Sequence, residues 1–373
     1  MDTLGVFFDL ITRSIGRNNN GCHKPSDKEW LTLYKMSCQQ AVAGLMFLGI
    51  EKLPKDKKPP LQLLLEWYAM KEQIAAQNRL LNKRTAEACR FFKKNGFDNV
   101  ILKGQGVAQL YPHPECRTPG DIDIWVAGGR EKIYEFARKK GPLEGVNYHH
   151  IHYHLFDDVE VEVHNTPSDL NNPFDNRKLQ HYFKGVSPAL CNNTLELEEG
   201  KITVPTDEFN VFFILLHIYH HYLNEGIGLR QIIDYYYVLK NASKESKESA
   251  TKRIKEFRMA RFARGIMWIL HDILGLEEEY LILEPDKKRG QVILDEVLVS
   301  GNFGHYDPRI NRKMKSSAVG RMISSTKGLA RKMSEHPSEI LWNIPFRFGV
   351  WFWRSFLLKK NTTLCTNTFS KEL

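Results

Sequence analysis

The spacing of hydrophobic residues changes period along the chain. Residues 28–53 and, after the segment KDKKPP, residues 61–94 place apolar side chains at three- and four-residue steps, which predicts helices on both sides of the proline pair. Between residues 95 and 170 the apolar positions form short runs or alternate with polar ones. This pattern predicts strands in NVILKG, DIDIWV, YHHIHYHLF and DVEVEVHN.

Helical spacing returns at Thr206 and continues towards the C-terminus. The segment TDEFNVFFILLHIYHHYLN begins with a Thr or Asp suited to an N-cap, and LRQIIDYYYVLKN follows a glycine-rich break. Further helices are predicted at residues 258–276 and 289–299. The charged residues 243–256 form either a solvated connection or an exposed helix.

The whole pattern predicts an α+β protein in which a small mixed β-sheet is embedded between helical segments. A chain of 373 residues is long enough to bury several cores. We expect an N-terminal helical region, an α/β core, a helical domain and a basic, aromatic-rich helical tail. Their ranges are residues 1–94, 95–170, 171–305 and 306–373.

The net charge of +9 is concentrated in this tail. Residues 306–373 contain 13 Lys and Arg against 4 Asp and Glu, so residues 1–305 are formally neutral. Basic and aromatic residues interleave there: Arg331, Lys332, Arg347, Arg354, Lys359 and Lys360 with Trp342, Phe346, Phe348, Trp351, Phe352, Trp353 and Phe356. The tail is either a packed helix with solvated edges or a peripheral contact for an anionic membrane or partner. It gives no firm prediction of nucleic-acid binding.

Three features predict a reduced, cytoplasmic setting. Six scattered cysteines without a CxxC spacing argue against a disulfide framework and a cysteine zinc site. The start MDTLGVFFDLITRSIG has no basic region before its apolar residues and is typical of an amphipathic helix, not a signal peptide. The apolar residues 340–358 are interrupted by Arg347 and Arg354, so we expect no transmembrane helix. If the tail docks, the protein lies at the inner face of the membrane.

Acidic residues alternate with apolar ones in two of the predicted strands. Asp121 and Asp123 leave the same face of a strand, and two such carboxylates suit Mg²⁺, which also takes water and substrate phosphates. Glu160, Glu162 and His164 share one face of a later strand. A third carboxylate from that strand would complete a two-metal centre. The alternative is an acidic sheet face that simply meets solvent.

A glycine turn precedes the first acidic strand. NVILK is followed by Gly104, Gln105 and Gly106 and then by an apolar helix start, which would place backbone N–H groups where they can hold a phosphate. A plain turn is the alternative. The ordered combination of strand, glycine turn, DxD and ExH is more specific than any of its parts.

These motifs resemble a known family. LKGQGVAQLYPHPECRTPGDIDIWV followed by VEVEVHN is similar to the bacterial uncharacterised nucleotidyltransferase family, within the DNA polymerase β-like nucleotidyltransferase superfamily. HHYLNEGIGLRQIIDYYYVL is similar to the family's helical portion, so the resemblance covers roughly residues 25–305. It implies a nucleotidyltransferase core, a nucleoside triphosphate donor and a divalent metal, Mg²⁺ or Mn²⁺.

The resemblance also implies roles for single residues. Asp121 and Asp123 would be the paired metal ligands, and Glu162 the third carboxylate, which accepts the proton of the attacking hydroxyl. The positions that match the family near the nucleotide are Lys103, Gly104 and Arg117. Arg230 is either a residue at the rim of the site or a helix surface partner of Asp234 at i+4. His164 either orients Glu162 or a substrate group, or is structural.

Nine of the 14 histidines lie between residues 149 and 221. His150, His152 and His154 alternate along one predicted strand, and His217 and His221 are spaced i, i+4 on a predicted helix, a spacing that can hold zinc. The alternatives are polar residues lining a cleft, contacts to substrate, and a zinc site.

We therefore expect a nucleotidyltransferase that moves a nucleoside monophosphate from a nucleoside triphosphate to the hydroxyl of an unknown acceptor. The chain departs from the superfamily in placing Gln105, where Gly or Ser is usual, after Gly104. The alternative is accordingly a catalytically weak or inactive nucleotide-binding protein that docks through its basic tail. A zinc hydrolase that uses the histidines is a further rival.

Overall fold

The computed structural model describes residues 3–17, 24–139, 141–190, 193–309, 332–333 and 335–369, with the side chains of all but 187–190 and 354–369. The α+β prediction is confirmed. Two compact units form, each from three segments of the chain. The helical unit comprises residues 1–82, 105–120 and 206–328, and the sheet unit comprises residues 83–104, 121–205 and 329–373. The four regions expected above stay a prediction.

The helices are numbered in chain order: α1 Thr3–Ser14, α2 Asp27–Gln39, α3 Ala43–Glu51, α4 Leu61–Lys94, α5 Gly104–Ala108, α6 Gly129–Arg138, α7 Pro173–Leu190, α8 Asp207–Asn224, α9 Leu229–Asn241, α10 Lys244–Glu256, α11 Ala260–Trp268, α12 Lys287–Ser300 and α13 Pro337–Phe369. The strands are β1 Asn99–Leu102, β2 Ile122–Val126, β3 His150–His152, β4 Val161–His164, β5 Thr194–Leu197 and β6 Gly200–Thr203.

Local capping explains where the main helices of the helical unit begin. Ser26 and Glu29 form a reciprocal capping box at the start of α2, and the Thr206 side chain accepts a hydrogen bond from the Phe209 N–H at the start of α8. Helix α8 is apolar on nearly all sides because it is the core of this unit and packs against α9 and α10. The helices predicted after Thr206 are thus confirmed.

The apolar pattern of residues 28–53 is divided between two helices. The chain turns after α2, where Ala41 adopts a left-handed φ of 56°. The buried Gln40 side chain stabilises this turn: its Nε2 donates to the Val297 carbonyl and its Oε1 accepts from the Leu229 N–H, both at 3.0 Å. No glycine or proline marks the break, which is why the periodicity alone did not predict it.

The principal sheet of the sheet unit has the strand order β1-β2-β4-β3 and is mixed, as predicted. Strands β1 and β2 are antiparallel, β2 and β4 are parallel, and β4 and β3 are antiparallel. The predicted strands 148–156 and 158–165 are shortened to β3 and β4. A separate antiparallel hairpin, β5 and β6, was not predicted, although TLEL and GKIT alternate around a glycine turn.

The register of the sheet lines up the polar residues. Asp123 pairs with Glu162, and Glu162 pairs with His152. The next row on the same face contains Trp125, His164 and His150. The intervening residues Ile122, Ile124, Val161, Val163 and Ile151 are buried on the opposite face. One face of the sheet therefore gathers acidic and histidine side chains, while the other forms the core.

Helix α13 packs within the sheet unit through its polar N-terminal turn. The buried Glu339 carboxylate accepts a hydrogen bond from the Asn171 N–H at 2.7 Å and another from the Asn172 N–H at 3.3 Å. Another face of the helix carries an exposed apolar stripe: Leu341, Ile344, Phe348, Trp351 and Phe352. Arg331 and the side chains of Arg354, Phe356, Lys359 and Lys360 lie outside the described residues. Within the described part of the chain, every helix is too short or too polar to cross a bilayer.

Candidate metal and nucleotide site

An acidic centre lies on the polar face of the principal sheet. The Asp123 carboxylate is buried, at 3% exposure of the residue, and its Oδ1 has two cationic partners. Lys103 Nζ and His164 Nε2 each lie 2.9 Å from this oxygen. Glu162 Oε2 lies 3.5 Å from His164 Nε2. The structure therefore brings together Lys103, Asp123, Glu162 and His164.

Lys103 reaches Asp123 because the chain turns sharply at the end of β1. Lys103 has a φ of 56°, in the left-handed region, and Gly104 follows with a φ of 46°. A non-glycine residue in this region costs of order 1 kcal/mol, so the surrounding contacts must compensate for the strain. The ion pair between Lys103 and Asp123 is one such contact, and it explains why the turn bears a lysine side chain.

The buried charges at this centre shift one another's pKa. Burial favours neutral Asp123, but the Lys103 and His164 charges outweigh it and hold the pKa of Asp123 well below its usual range. Burial likewise disfavours the charged form of His164, yet its hydrogen bonds to Asp123 and Glu162 raise its pKa to about 9. At neutral pH the centre therefore contains an ionised Asp123 and an imidazolium.

Asp121 stands one residue before β2 and belongs to the same electrostatic system. The negative charge of Asp123, followed by burial, raises the pKa of Asp121 to about 6. The charges of Asp123, Asp121 and Glu162 raise the pKa of Lys103 against the effect of burial. The Lys103 ammonium thus interacts electrostatically with all three predicted carboxylates, and its ion pair is with Asp123.

The donor set of this centre fits a divalent cation. Asp123, Glu162 and His164 each offer a ligand atom, and these atoms lie within 4.8 Å of one another. Carboxylate oxygens are the protein ligands that Mg²⁺ and Mn²⁺ prefer. Lys103 and the protonated His164 already place positive charge against Asp123. A divalent ion would replace part of that charge.

Gln105 and Gly106 belong to the helical unit and lie in the short helix α5. Gln105 is buried, and its amide donates to Asn82 Oδ1 and, at 3.4 Å, to the Asn78 carbonyl. Its side chain is therefore engaged within its own unit. Gly104, by contrast, belongs to the sheet unit and forms the turn after Lys103.

Arg117 and Arg230 also belong to the helical unit. Arg117 donates to both carboxylate oxygens of Asp234, from Nε at 2.7 Å and from Nη2 at 2.8 Å, and the Tyr111 hydroxyl donates to the same carboxylate at 2.7 Å. Arg230 Nη1 donates to the Thr118 carbonyl at 3.0 Å. The structure thus engages Arg117 in a buried bidentate ion pair, and a contact of either arginine with nucleotide stays a prediction.

The histidines fall into separate groups. His149, His150 and His164 form one cluster of potential ligand atoms, and His150, His152 and Glu162 form another. His154 lies outside β3, is exposed and pairs with Glu144 at 2.9 Å. In the helical unit, the ring centroids of His217 and His221 lie 4.3 Å apart, and His221 Nδ1 pairs with the Glu225 carboxylate. That pair forms no group of three potential ligands among the described residues.

Two residues that support the histidine groups were not predicted from the sequence. Asn147 Nδ2 lies 2.8 Å from His150 Nε2, and Gly145 makes room for the His152 ring. Neither residue lies in a strand whose alternation of polar and apolar residues could have identified it. The segment LEGVNYHH offered one signal, because a glycine and an asparagine before a histidine-rich strand are typical of a turn that shapes its neighbours.

Comparisons with known proteins agree with the resemblance noted above. The sequence model of a family described as "Uncharacterised nucleotidyltransferase" matches residues 26–275. No curated protein matches the chain. Among solved structures, the chain is similar to an antigenic nucleotidyltransferase-like protein from Paracoccidioides brasiliensis, with 16% identity over 52% of this chain and 91% of that chain. The TM-score is 0.29, and at this value the likeness carries no argument about the site.

Proposed function

Because the chain belongs to the uncharacterised nucleotidyltransferase family, we propose that it transfers a nucleoside monophosphate from a nucleoside triphosphate to a hydroxyl group of an acceptor. One observation carries the proposal. Asp123 and Glu162 are neighbours across parallel strands, and Lys103 and His164 both bind Asp123 at 2.9 Å. This arrangement supports a centre that binds divalent cations and phosphate groups.

The proposal gives Asp121, Asp123 and Glu162 the role of holding Mg²⁺ or Mn²⁺. When bound, the ions neutralise the triphosphate and lower the pKa of the attacking hydroxyl. His164 holds the Asp123 carboxylate in position through Nε2. Lys103 has a long flexible side chain, and its ammonium can exchange its contact with Asp123 for one with a phosphate oxygen.

The proposed reaction balances as a single displacement at phosphorus. The acceptor oxygen forms a bond to the α-phosphorus, and Glu162 accepts the proton of that hydroxyl. The bond from the α-phosphorus to the bridging oxygen breaks, and pyrophosphate leaves with the electron pair. Charge placement accounts for most of the rate enhancement, as in other phosphoryl-group transfers.

Label transfer tests the proposal directly. The purified protein is incubated with each of the four nucleoside triphosphates, labelled at the α-phosphate, with Mg²⁺ and candidate acceptors: sugars, RNA and the protein itself. We expect labelled product and stoichiometric pyrophosphate with at least one triphosphate. Asp121→Asn and Glu162→Gln should abolish both signals while circular dichroism stays unchanged.

Asp98→Asn is the matched control. Asp98 is an exposed aspartate beside the opposite end of β1, where it pairs with Lys93, so its substitution should leave turnover intact. Full turnover in the Asp121→Asn variant would contradict the assignment of the acidic centre. Triphosphate binding without pyrophosphate release would favour the weak or inactive alternative.

The exposed stripe on α13 supports a second candidate function, peripheral docking to an anionic membrane surface. Trp351 and Phe352 are 64% and 71% exposed, and the segment that contains them carries the whole net charge of +9. Aromatic side chains beside basic ones suit the interface of an anionic bilayer. This candidate places the protein at the inner face of the cytoplasmic membrane.

Vesicle flotation tests the docking candidate. We expect the protein to float with phosphatidylcholine vesicles that contain phosphatidylserine and to stay behind with phosphatidylcholine alone. Trp351→Ser should reduce flotation severalfold, whereas Leu65→Ser, at a comparably exposed position of α4, should not. Equal flotation with both vesicles would exclude the electrostatic part of the candidate.

A further inference from the structure

A second set of potential metal ligands lies beside the acidic centre, on β3 and β4. His150 Nδ1 lies 3.4 Å from Glu162 Oε2, and His152 Nε2 lies 3.6 Å from Glu162 Oε1. The three residues offer ligand atoms within 4.8 Å of one another. Neither His150 nor His152 has a role in the reaction proposed above.

Among the described residues, the buried Nδ1 atom of His150 has no hydrogen-bond partner. The residue is 8% exposed, and its Nδ1 faces Glu162 without a hydrogen bond to it or to any other part of the chain that the structure describes. Buried polar atoms of this kind are rare, because leaving one unpaired is unfavourable. A bound cation would satisfy the nitrogen and the carboxylate together.

The opposite nitrogen of His150 is held by Asn147. The Asn147 side-chain amide lies 2.8 Å from Nε2. A ring that binds a cation through Nδ1 carries its proton on Nε2, and the Asn147 amide, rotated so that Oδ1 faces the ring, accepts a hydrogen bond from that N–H. Asn147 can therefore orient His150 with a metal bound.

His152 forms a carboxylate–histidine pair of the kind that supports metal ligands. Its Nδ1 lies 2.7 Å from Glu160 Oε1, so a proton on Nδ1 would lie against that carboxylate. In the tautomer that carries its proton on Nδ1, the lone pair lies on Nε2, which faces Glu162. Glu162 Oε1 lies 3.6 Å from this nitrogen, a separation that a shared cation can bridge.

The backbone beside His152 is shaped for this ring. Gly145 has a φ of 53°, and a Cβ atom there would overlap the His152 imidazole at Cδ2. A side chain at position 145 would therefore displace the imidazole. The His152 side chain is 36% exposed, so an ion can enter from solvent and water can occupy a remaining coordination position.

We propose that His150 Nδ1, His152 Nε2 and the Glu162 carboxylate bind a divalent transition-metal ion, at a site distinct from the carboxylate site of Asp121 and Asp123. Two imidazole nitrogens and one carboxylate favour Zn²⁺, Co²⁺ or Fe²⁺ over Mg²⁺. Three protein ligands leave at least one coordination position open, as in catalytic sites. Glu162 belongs to both sites. The inference does not depend on nucleotidyl transfer.

Cobalt titration tests the site on the full chain. The protein is stripped of metal, exchanged into chelator-free buffer with excess Mg²⁺, and titrated with Co²⁺ alone. We expect one equivalent to bind, with the visible absorption of nitrogen-ligated cobalt, and Zn²⁺ to remove that absorption by displacement. Absence of stoichiometric Co²⁺ binding would overturn the proposal.

Matched variants locate the ion. His150→Gln and His152→Gln should each lose the absorption, and Glu160→Gln, which keeps all three ligands, should weaken Co²⁺ binding about 10- to 100-fold. His154→Gln changes an exposed histidine two residues from His152 and should bind Co²⁺ as the wild type does. Unchanged Co²⁺ binding in both ligand variants would refute the assignment.

One further variant separates this proposal from the proposed function. Asp123→Asn should abolish nucleotidyl transfer and keep the cobalt absorption, because Asp123 is not among the three ligands. A wild-type protein that binds Co²⁺ but releases no pyrophosphate would contradict nucleotidyl transfer and support this site. A protein that transfers nucleotides but shows no cobalt absorption would support nucleotidyl transfer and contradict this site.

Discussion

Asp121 and Asp123 are separated by one residue, yet their pKa values are shifted in opposite directions. Lys103 and His164 outweigh the effect of burial on Asp123 and lower its pKa, while the resulting negative charge, followed by burial, raises the pKa of Asp121 to about 6. Asp121 is therefore the carboxylate whose ionisation the metal-free fold disfavours. Placing it there is consistent with a site arranged for function at the expense of stability.

Asp121→Asn should stabilise the metal-free protein in a pH-dependent way. The pKa of Asp121 in the folded state lies above its ordinary value of 3.8, so ionisation of Asp121 lowers the free energy of unfolding. This penalty is absent below about pH 4, where the carboxyl group is protonated in both the folded and the unfolded state. It grows as the pH rises and is complete above pH 6, at no more than about 3 kcal/mol. Urea unfolding in chelator should show a gain of about 1 to 3 kcal/mol at pH 8.

The control for this prediction is Asp98→Asn, which removes an exposed aspartate and should change the free energy of unfolding by less than about 0.5 kcal/mol. The gain from Asp121→Asn should shrink between pH 6 and pH 4. A gain of equal size at pH 4.5 and pH 8 would show that electrostatic repulsion is not its source.

Asp234→Asn should destabilise the helical unit. Asp234 and Arg117 are buried and joined by two hydrogen bonds, so the substitution leaves the Arg117 charge without its counter-ion. Breaking a buried pair from one side costs about 3 to 5 kcal/mol. Urea unfolding measures the loss, with Glu256→Gln in the exposed Arg253–Glu256 pair as the near-neutral control. The double variant Arg117→Met with Asp234→Leu should regain most of the stability. If it does not, lost packing and not the unpaired charge accounts for the destabilisation.

Single residues also show how far the sequence was informative. The alternation of polar and apolar residues was enough to predict that Asp123 and Glu162 lie on the polar faces of their strands. The register of the sheet then makes the two residues neighbours. The left-handed backbone of Lys103 could not be predicted, because lysine seldom adopts it. The pairing of Arg117 with Asp234 joins residues far apart in the chain, and no local pattern encodes such a contact.

At the scale of elements, the long helices were predictable and the sheet order was not. Helix α8 has a cap, a long apolar run and a clear end, so local chemistry specifies it. The alternation of β2 and β4 specifies which side chains share a face, but not that these strands are adjacent and parallel. The hairpin of β5 and β6 was missed because it contributes little to the core: Ile202 is the one buried residue of its two strands.

Glu339→Ala should detach the N-terminal turn of α13. The Glu339 carboxylate accepts two backbone N–H groups, from Asn171 and Asn172, which would be left unpaired in a buried position. The loss should be about 1 to 3 kcal/mol. Hydrogen exchange should show faster exchange in residues 337–353, with β1 and β2 unchanged. Ser338→Ala, which removes only a hydroxyl contact to Asn172, is the milder control. Equal protection in wild type and Glu339→Ala would show that other contacts hold the helix.

At the scale of the whole molecule, charge is distributed by segment. Residues 1–305 are formally neutral and the C-terminal 68 residues carry the net charge of +9. The sheet unit contains both the acidic centre and residues 329–373, which hold 7 Lys and Arg against 3 Glu, so one unit includes an attractive site for cations and a segment suited to anions. The distribution of charge between the two segments could be predicted from the sequence, because counting charged residues needs no tertiary structure.

The stability of the whole chain should depend on Mg²⁺ through the acidic centre, and Lys103 sets how strongly. A ligand at 100 times its dissociation constant adds about 2.7 kcal/mol to the free energy of unfolding. In Lys103→Met the carboxylates lose the ammonium that neutralises them, so the metal-free variant should be less stable than the wild type. Mg²⁺ then has no ammonium to displace from Asp123, and its stabilising effect should be larger.

Thermal unfolding with chelator and with saturating Mg²⁺ measures this difference. Lys93→Met is the matched control, because Lys93 is an exposed lysine whose partner Asp98 lies away from the centre. It should respond to Mg²⁺ as the wild type does. An equal Mg²⁺ effect in wild type and Lys103→Met would mean that the ammonium and the metal do not compete for Asp123. The ion would then have to bind elsewhere in the protein.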